Sequence, residues 1–309
     1  SYIFHNAATV SRQWEHRRLA LMRAMAAGEV PLLVAAVEGL LQRTLPPEEL
    51  DRAWAELRTG GSYDLNQLAE TLTAAGYSRC DQVEGVGQFA LRGGILDVYS
   101  PGMEQPVRAE FFGDELDAMG LFDPATQRRT ENVERAVLLP AAEALPHLAP
   151  GGTAGLAARL EKLAAGAEKA GRHELAQTLR QDREALEQGR SFPATDRYLA
   201  LIYPQLATAA DYLPPDACVL FSESSRVGER AKTYQWQLEE DAKSLMERGE
   251  LDGSCAVLSR TFPELNARLS DWPTAYLDSF TLSAYPVPPG CLLSVTAKQL
   301  PSFGASLET

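Results

Sequence analysis

Between Tyr77 and Leu139 the chain is broken too often by turn residues to hold a long helix. Short runs rich in β-branched and aromatic residues, at 88–91, 95–99, 107–112, 116–122 and 133–139, read as strands. Gly93-Gly94, Pro101-Gly102, Gly113-Asp114 and Asp123-Pro124 stand between them as turn signals. Such close spacing leaves no room for crossover helices, so neighbouring strands pair as antiparallel hairpins. A helix precedes them. Asp64 opens it, Leu65, Leu68, Ala69 and Leu72 share one face, and Gly76 stops it. Together these predict a compact α+β unit over 62–146.

The flanks read differently. Ala7, Val10, Trp14, Leu19, Leu21, Met22 and Met25 recur at helical intervals over 7–29. The apolar runs 31–37 and 217–221 suit strands of a parallel sheet covered on both faces. Helices are predicted over 38–43, 154–190 and 228–249, and short strands over 256–258 and 292–295. The Pro/Ala/Gly stretch 140–152 reads as a linker. The expected fold is therefore α/β plus α+β, a main layer divided into 1–61 and 147–309 with the small antiparallel unit inserted. The chain opens on Ser1 without an initiator Met and stops within what reads as the first turn of a helix. It reads as a piece of a longer protein.

Several function classes are disfavoured. A formal charge of −13 is wrong for a general clamp on nucleic acid. No apolar run approaches the roughly 18 residues of a membrane span. His5, His16, His147 and His173 lie at no metal-ligand spacing, and no cofactor is expected. Cys80, Cys218, Cys255 and Cys291 are scattered and read as reduced thiols. No nucleophile elbow or phosphate-binding loop occurs. Gly85-Val-Gly87-Gln-Phe-Ala90 has a dinucleotide-like spacing but runs into a strand and then Gly93-Gly94. Glycines serving a turn explain it better.

What remains is a sheet carrying Arg79 and Arg92, with Phe89 and Tyr99 nearby in sequence. Arginines beside aromatics are the composition of protein–protein hot spots, and a guanidinium can grip a partner carboxylate bidentately. The two arginines could equally be paired within the unit, to Asp81, Asp97 or Glu110. The residues alone leave both readings open.

The motifs here resemble those of a known family. They are Gly76-Tyr77, Arg79, Asp81 and Val83, then Gly87, Phe89 and Arg92-Gly-Gly-Ile-Leu-Asp97. Arg108, Glu110-Phe-Phe-Gly-Asp-Glu115, Asp117 and Leu139-Pro140-Ala141 complete the set. The stretch is similar to domain 2 of the nucleotide-excision-repair proteins UvrB and transcription-repair coupling factor, and closer to the latter. Val10-Ser-Arg-Gln-Trp-Glu-His16 and Leu41-Gln-Arg-Thr-Leu-Pro46 resemble the end of domain 1a, and Leu300-Pro-Ser-Phe-Gly-Ala305 a segment of domain 1b. The resemblance implies a cytoplasmic, non-catalytic module that docks UvrA. Arg79 and Arg92 would be the leading contacts, and Phe89 and Tyr99 weaker ones. The parent would also engage RNA polymerase, double-stranded DNA and its own C-terminal domain, which can mask the docking face. The alternative is a fragment of a UvrB-type, ATP-dependent damage-binding subunit. Against that, Ser222 stands where the family's metal-binding strand carries Asp, as in the degenerate copy.

Overall fold

The computed structural model describes residues 12–190, 193–282, 285 and 288–295. The first helix, α1, spans Gln13–Ala26. The first residues predicted for it, and the motif at 300–305, lie outside the described residues. α2 (Val37–Leu41), β1 (Arg43–Thr44) and α3 (Pro47–Ala53) follow.

The small unit begins at β2 (Ala55–Arg58) and α4 (Leu65–Ala74). Asp64 caps α4 as predicted: its Oδ1 accepts from the backbone N–H of Asn66 and Gln67, at 2.8 and 3.0 Å. Then come β3 (Ser78–Arg79), β4 (Gln88–Arg92), β5 (Ile95–Tyr99), β6 (Val107–Phe112), β7 (Glu115–Phe122) and β8 (Arg129–Asn132). They form one six-stranded sheet in sequence order, antiparallel except for the edge pair β3–β4. The predicted last strand is shorter, β9 (Arg135–Leu138). It leaves this sheet to pair with β2, a strand too polar at its ends to be read from alternation. One face of the sheet is apolar. Phe89, Leu96, Val98, Val107, Ala109 and Met119 pack there against Leu68 and Leu72 of α4 and Leu57 of β2.

The predicted linker is no loose tether. Residues 138–145 are all buried. Tyr77 donates its hydroxyl to Leu139 O (2.5 Å), Ala141 N–H to Ala75 O (2.8 Å), and Tyr203 its hydroxyl to Glu143 O (2.7 Å). Leu138 and Ala141 belong to the sheet's core, while Ala144 belongs to a second, helical core. A run of small residues lets the backbone pass between the two cores, and its polar groups find partners on either side.

The second core packs α1 against an antiparallel helix pair, α5 (Gly152–Lys169) and α6 (His173–Glu187). One long helical stretch was predicted; Gly171, at φ +73°, turns it back on itself. α7 (Leu199–Ile202) and β10 (Ala207–Thr208) lead on, the latter pairing with β1.

The expected parallel layer is much reduced. β11 (Val219–Ser222) runs into α8 (Ser224–Glu247), and α9 (Phe262–Leu269) into β12 (Thr274–Leu277). β11 and β12 form a two-stranded parallel sheet. Among the described residues only one of its faces is covered: Phe221 packs with Ala231, Leu265 and Trp272, while Leu220 and Leu277 are exposed. The stretch 31–36 is extended but pairs with nothing among the described residues, leaving Leu32 and Val34 bare. The predicted strands at 256–258 and 292–295 do not form either. The fold is thus a mixed helix-and-strand structure of several small sheets.

A candidate docking face on the small sheet

Opposite partners in an antiparallel ladder point to the same side. The register pairs Ala90 with Asp97 and Asp97 with Arg108, while Arg92 pairs with Ile95 and Ile95 with Glu110. These residues therefore share the face turned away from α4. Part of that face is roofed by the connection from β3 to β4, where Val83 packs on Ala90 and Phe122. The part nearer the hairpin turns is open.

Asp97 is the centre of this face. It has no exposed surface, yet it carries a charge-bearing side chain. Arg92 Nη2 donates to its Oδ2 at 2.6 Å. Arg108 holds it bidentately, Nε to Oδ1 at 2.6 Å and Nη2 to Oδ2 at 2.8 Å. Two guanidiniums share this one carboxylate, and Glu110 on the same face is paired with Arg129 at 3.3 Å, so the exposed side of Arg92 can still grip a carboxylate from outside. Arg92 also donates to Asp81 O (3.0 Å), tying down the roofing loop, and its side chain stays 49% exposed. Arg108 lies over the Phe122 ring, 4.6 Å from its centroid. Its hydrogen bonds to Asp97 push its pKa further up, so it stays charged.

Beside this ionic cluster stand two apolar side chains. Ile95 is 38% exposed and Phe112, at the end of β6, is 86% exposed. The turn below them needs its glycines. Gly93 sits at φ +60°, and a Cβ on Gly94 would meet Phe111 O at 2.7 Å.

The four residues singled out from sequence scatter. Arg92 lies on the open face, and its pairing with Asp97 coexists with outward presentation. Arg79 does not join it: it pairs in register with Phe89 and lies on the opposite side, at the sheet's edge. Phe89 is a correction. It is completely buried in the core, so it is not an exposed contact. Tyr99 is half-buried against the Val83 cluster, its hydroxyl donating to Glu104 O at 2.8 Å, and burial raises its pKa. It supports the face. Arg108, Ile95 and Phe112 were missed, although counting by twos from Arg92 along the paired strands reaches them.

The other motif considered, Ser222-Glu223-Ser224, is engaged locally. Ser224 donates its N–H and hydroxyl to Asp278 (2.6 and 2.9 Å), and Ser279 donates its hydroxyl to Glu223 (2.5 Å). Among the described residues no cluster of three His, Cys, Asp or Glu could hold a metal. No helix there is long and apolar enough to cross a membrane.

Residues 55–143, which hold the sheet, its supporting helix and the arginine-bearing face, match the UvrB interaction domain. Beyond that segment, nearly the whole chain is similar to the transcription-repair-coupling factors. It is 30% identical to that of Bacillus subtilis (strain 168) over 308 residues, 97% of this chain and 26% of that protein. Against that of Staphylococcus haemolyticus (strain JCSC1435) it is 29% identical over 308 residues, 96% of this chain and 25% of the other. Against Staphylococcus aureus (strain MRSA252) the figure is 25% over 304 residues. The chain spans about a quarter of the length of these relatives.

Proposed function

We propose that this chain is the UvrA-recruiting part of a bacterial, cytoplasmic transcription-repair coupling factor. In this reading the parent displaces RNA polymerase stalled at a DNA lesion with a motor outside these 309 residues. The chain itself is an adaptor without catalytic activity, with 62–146 as the docking unit and 1–61 and 147–309 as its frame. What supports the reading is the open face around Asp97, lying within the segment that matches the UvrB interaction domain. Two guanidiniums share one buried carboxylate there, with Ile95 and Phe112 exposed alongside. A charged anchor beside an apolar one is how a small interface concentrates its binding free energy.

Calorimetric titration of this chain with UvrA is the test. Arg92→Ala and Phe112→Ala should each weaken binding about tenfold or more, roughly 1.4 kcal/mol. Unchanged affinity in both variants removes the site assignment; no binding by the parent chain removes the function. ATP hydrolysis, or tight binding to damaged DNA, would point to a UvrB-type subunit instead.

A further inference from the structure

The face around Asp97 is braced by a residue of the turn from β7 to β8. Gln127 sits there at φ +60°, and among the described residues only Glu223 shares with it a positive φ without being glycine. A side chain strains the backbone in this region, whereas glycine enters it freely. Such strain persists only where the surroundings hold it in place.

The turn closes without this side chain. Asp123 Oδ1 accepts the N–H of Ala125 and of Thr126 at 2.7 and 3.0 Å, and Asp123 O accepts the N–H of Gln127 at 2.7 Å. The Gln127 amide reaches further. Its Nε2 donates to Pro124 O (2.7 Å) and also to Val83 O in the roof of the face (3.2 Å). Its Oε1 accepts from Arg108 Nη2 at 3.3 Å, and its backbone O from Arg108 Nη1 at 3.4 Å. One half-buried amide thus joins the turn, the roofing loop and β6.

Both of its outward bonds lead to Arg92. Arg108 shares the Asp97 carboxylate with Arg92. Arg92 Nη1 donates to Asp81 O, two residues before Val83 in the roof. Val83 is fully buried on Ala90 and Phe122, and with its carbonyl held, Asp81 O lies where Arg92 meets it. Arg92 is therefore fixed at two points while half of its side chain stays exposed. A long side chain ordered beforehand loses less freedom on binding, which is worth about threefold to tenfold in affinity.

We infer that Gln127 is a positioning residue for docking: it fixes the roof and Arg108, and through them holds Arg92 ready for a carboxylate from outside. This role rests on the docking of UvrA proposed above. Gln127→Gly removes the amide and relieves the backbone, so the urea midpoint of the whole chain should stay close to that of the parent. UvrA should nevertheless bind about threefold to tenfold more weakly in calorimetric titration. In an Arg92→Ala background the same change should have no further effect on UvrA affinity, because its action passes through Arg92. Hydrogen exchange across 81–86 should be at least about threefold faster, with 107–112 unchanged. Gln127→Glu keeps an acceptor for Arg108 but loses the donor to Val83 O, and it should speed exchange across 81–86 as well. Exchange unchanged in both variants overturns the hold on the roof and the proposal with it. A loss of UvrA affinity that persists in full in Arg92→Ala is a merely structural effect and also overturns it. Binding by the parent chain that Gln127→Gly leaves unchanged defeats this role alone, whereas no binding by the parent chain defeats the docking function first.

Discussion

The small antiparallel unit and the parallel remnant β11–β12 are built from similar apolar strand sequences, yet they close differently. In the six-stranded sheet of the small unit every strand finds its neighbour a few residues away, and one helix covers the apolar face. In the remnant, Val219 pairs with Thr274, more than fifty positions along, and one face has no cover among the described residues. Stretch 31–36, with the same apolar composition, has no partner strand among the described residues and is merely extended. A strand needs at least one paired neighbour and cover on at least one face. Hairpins supply the first locally, whereas parallel strands must recruit theirs from afar. The difference makes stability and legibility go together, and it can be broken by substitution.

The largest effect is expected at Phe89, fully buried at the centre of the small sheet. Phe89→Ala should cost about 3–5 kcal/mol in urea-induced unfolding, since the site is boxed in by α4 and cannot collapse. A loss under about 1 kcal/mol would mean the sheet's core is not where its burial places it. Asp97 comes next. Asp97→Asn keeps the shape but removes the charge that holds Arg92 and Arg108. Stripping one partner from a wholly buried ion pair costs about 3–5 kcal/mol. Here both arginines reach solvent, so about 2 kcal/mol is expected. A neutral variant would show that the cluster serves only the docking face.

How much could be read in advance follows the same division. The strands at 95–99 and 107–112 came out with the bounds predicted, because hairpin strands carry their own turn chemistry. β8 was missed because Arg129-Thr-Glu-Asn132 is wholly exposed and shows no alternation. The buried seam at 138–145 read as a linker because small residues and prolines look alike whether they are loose or tightly packed. Arg92 could be found from its motif, but its partners on the face could not. They depend on register, which puts Phe89 and Arg92, three positions apart, on opposite sides. Arg79 was grouped with Arg92 because both lie beside strands of the unit and both belong to the family motif, and the register of β3 on β4 puts them on opposite sides.

The seam between the two regions makes a pH prediction. Glu15 of α1 faces Arg12 just before the helix, Glu143 of the seam and Asp196, and it accepts the Glu143 N–H at 2.7 Å. Burial first, then the charges of Asp196 and Glu143, push its pKa up to about 8. A carboxyl raised in the folded state binds its proton there while the unfolded chain has already lost it. Its contribution is therefore full below the ordinary carboxylate range and is lost as pH rises from about 4.5 towards 8. Glu15→Gln, neutral at every pH, should flatten this slope and exceed the parent by roughly 1–2 kcal/mol near pH 8.5. Parallel stability–pH curves for the two proteins would show that Glu15 titrates normally.

The smallest effects belong to the bare apolar residues. Val34 is 88% exposed and Leu220 58% exposed. Replacing either by Ser removes a contact with water rather than with protein, so unfolding free energies should stay within about 0.5 kcal/mol of the parent. The same change at Val98 of β5, fully buried, would strand a hydroxyl in the core and cost several times more. Should Leu220→Ser cost more than about 1 kcal/mol, the outer side of β11 is covered in solution and the two regions differ less than their strand pairing suggests. Should Val34→Ser alone do so, stretch 31–36 docks on a surface of its own, and the shortage of local partners is not what leaves it unpaired.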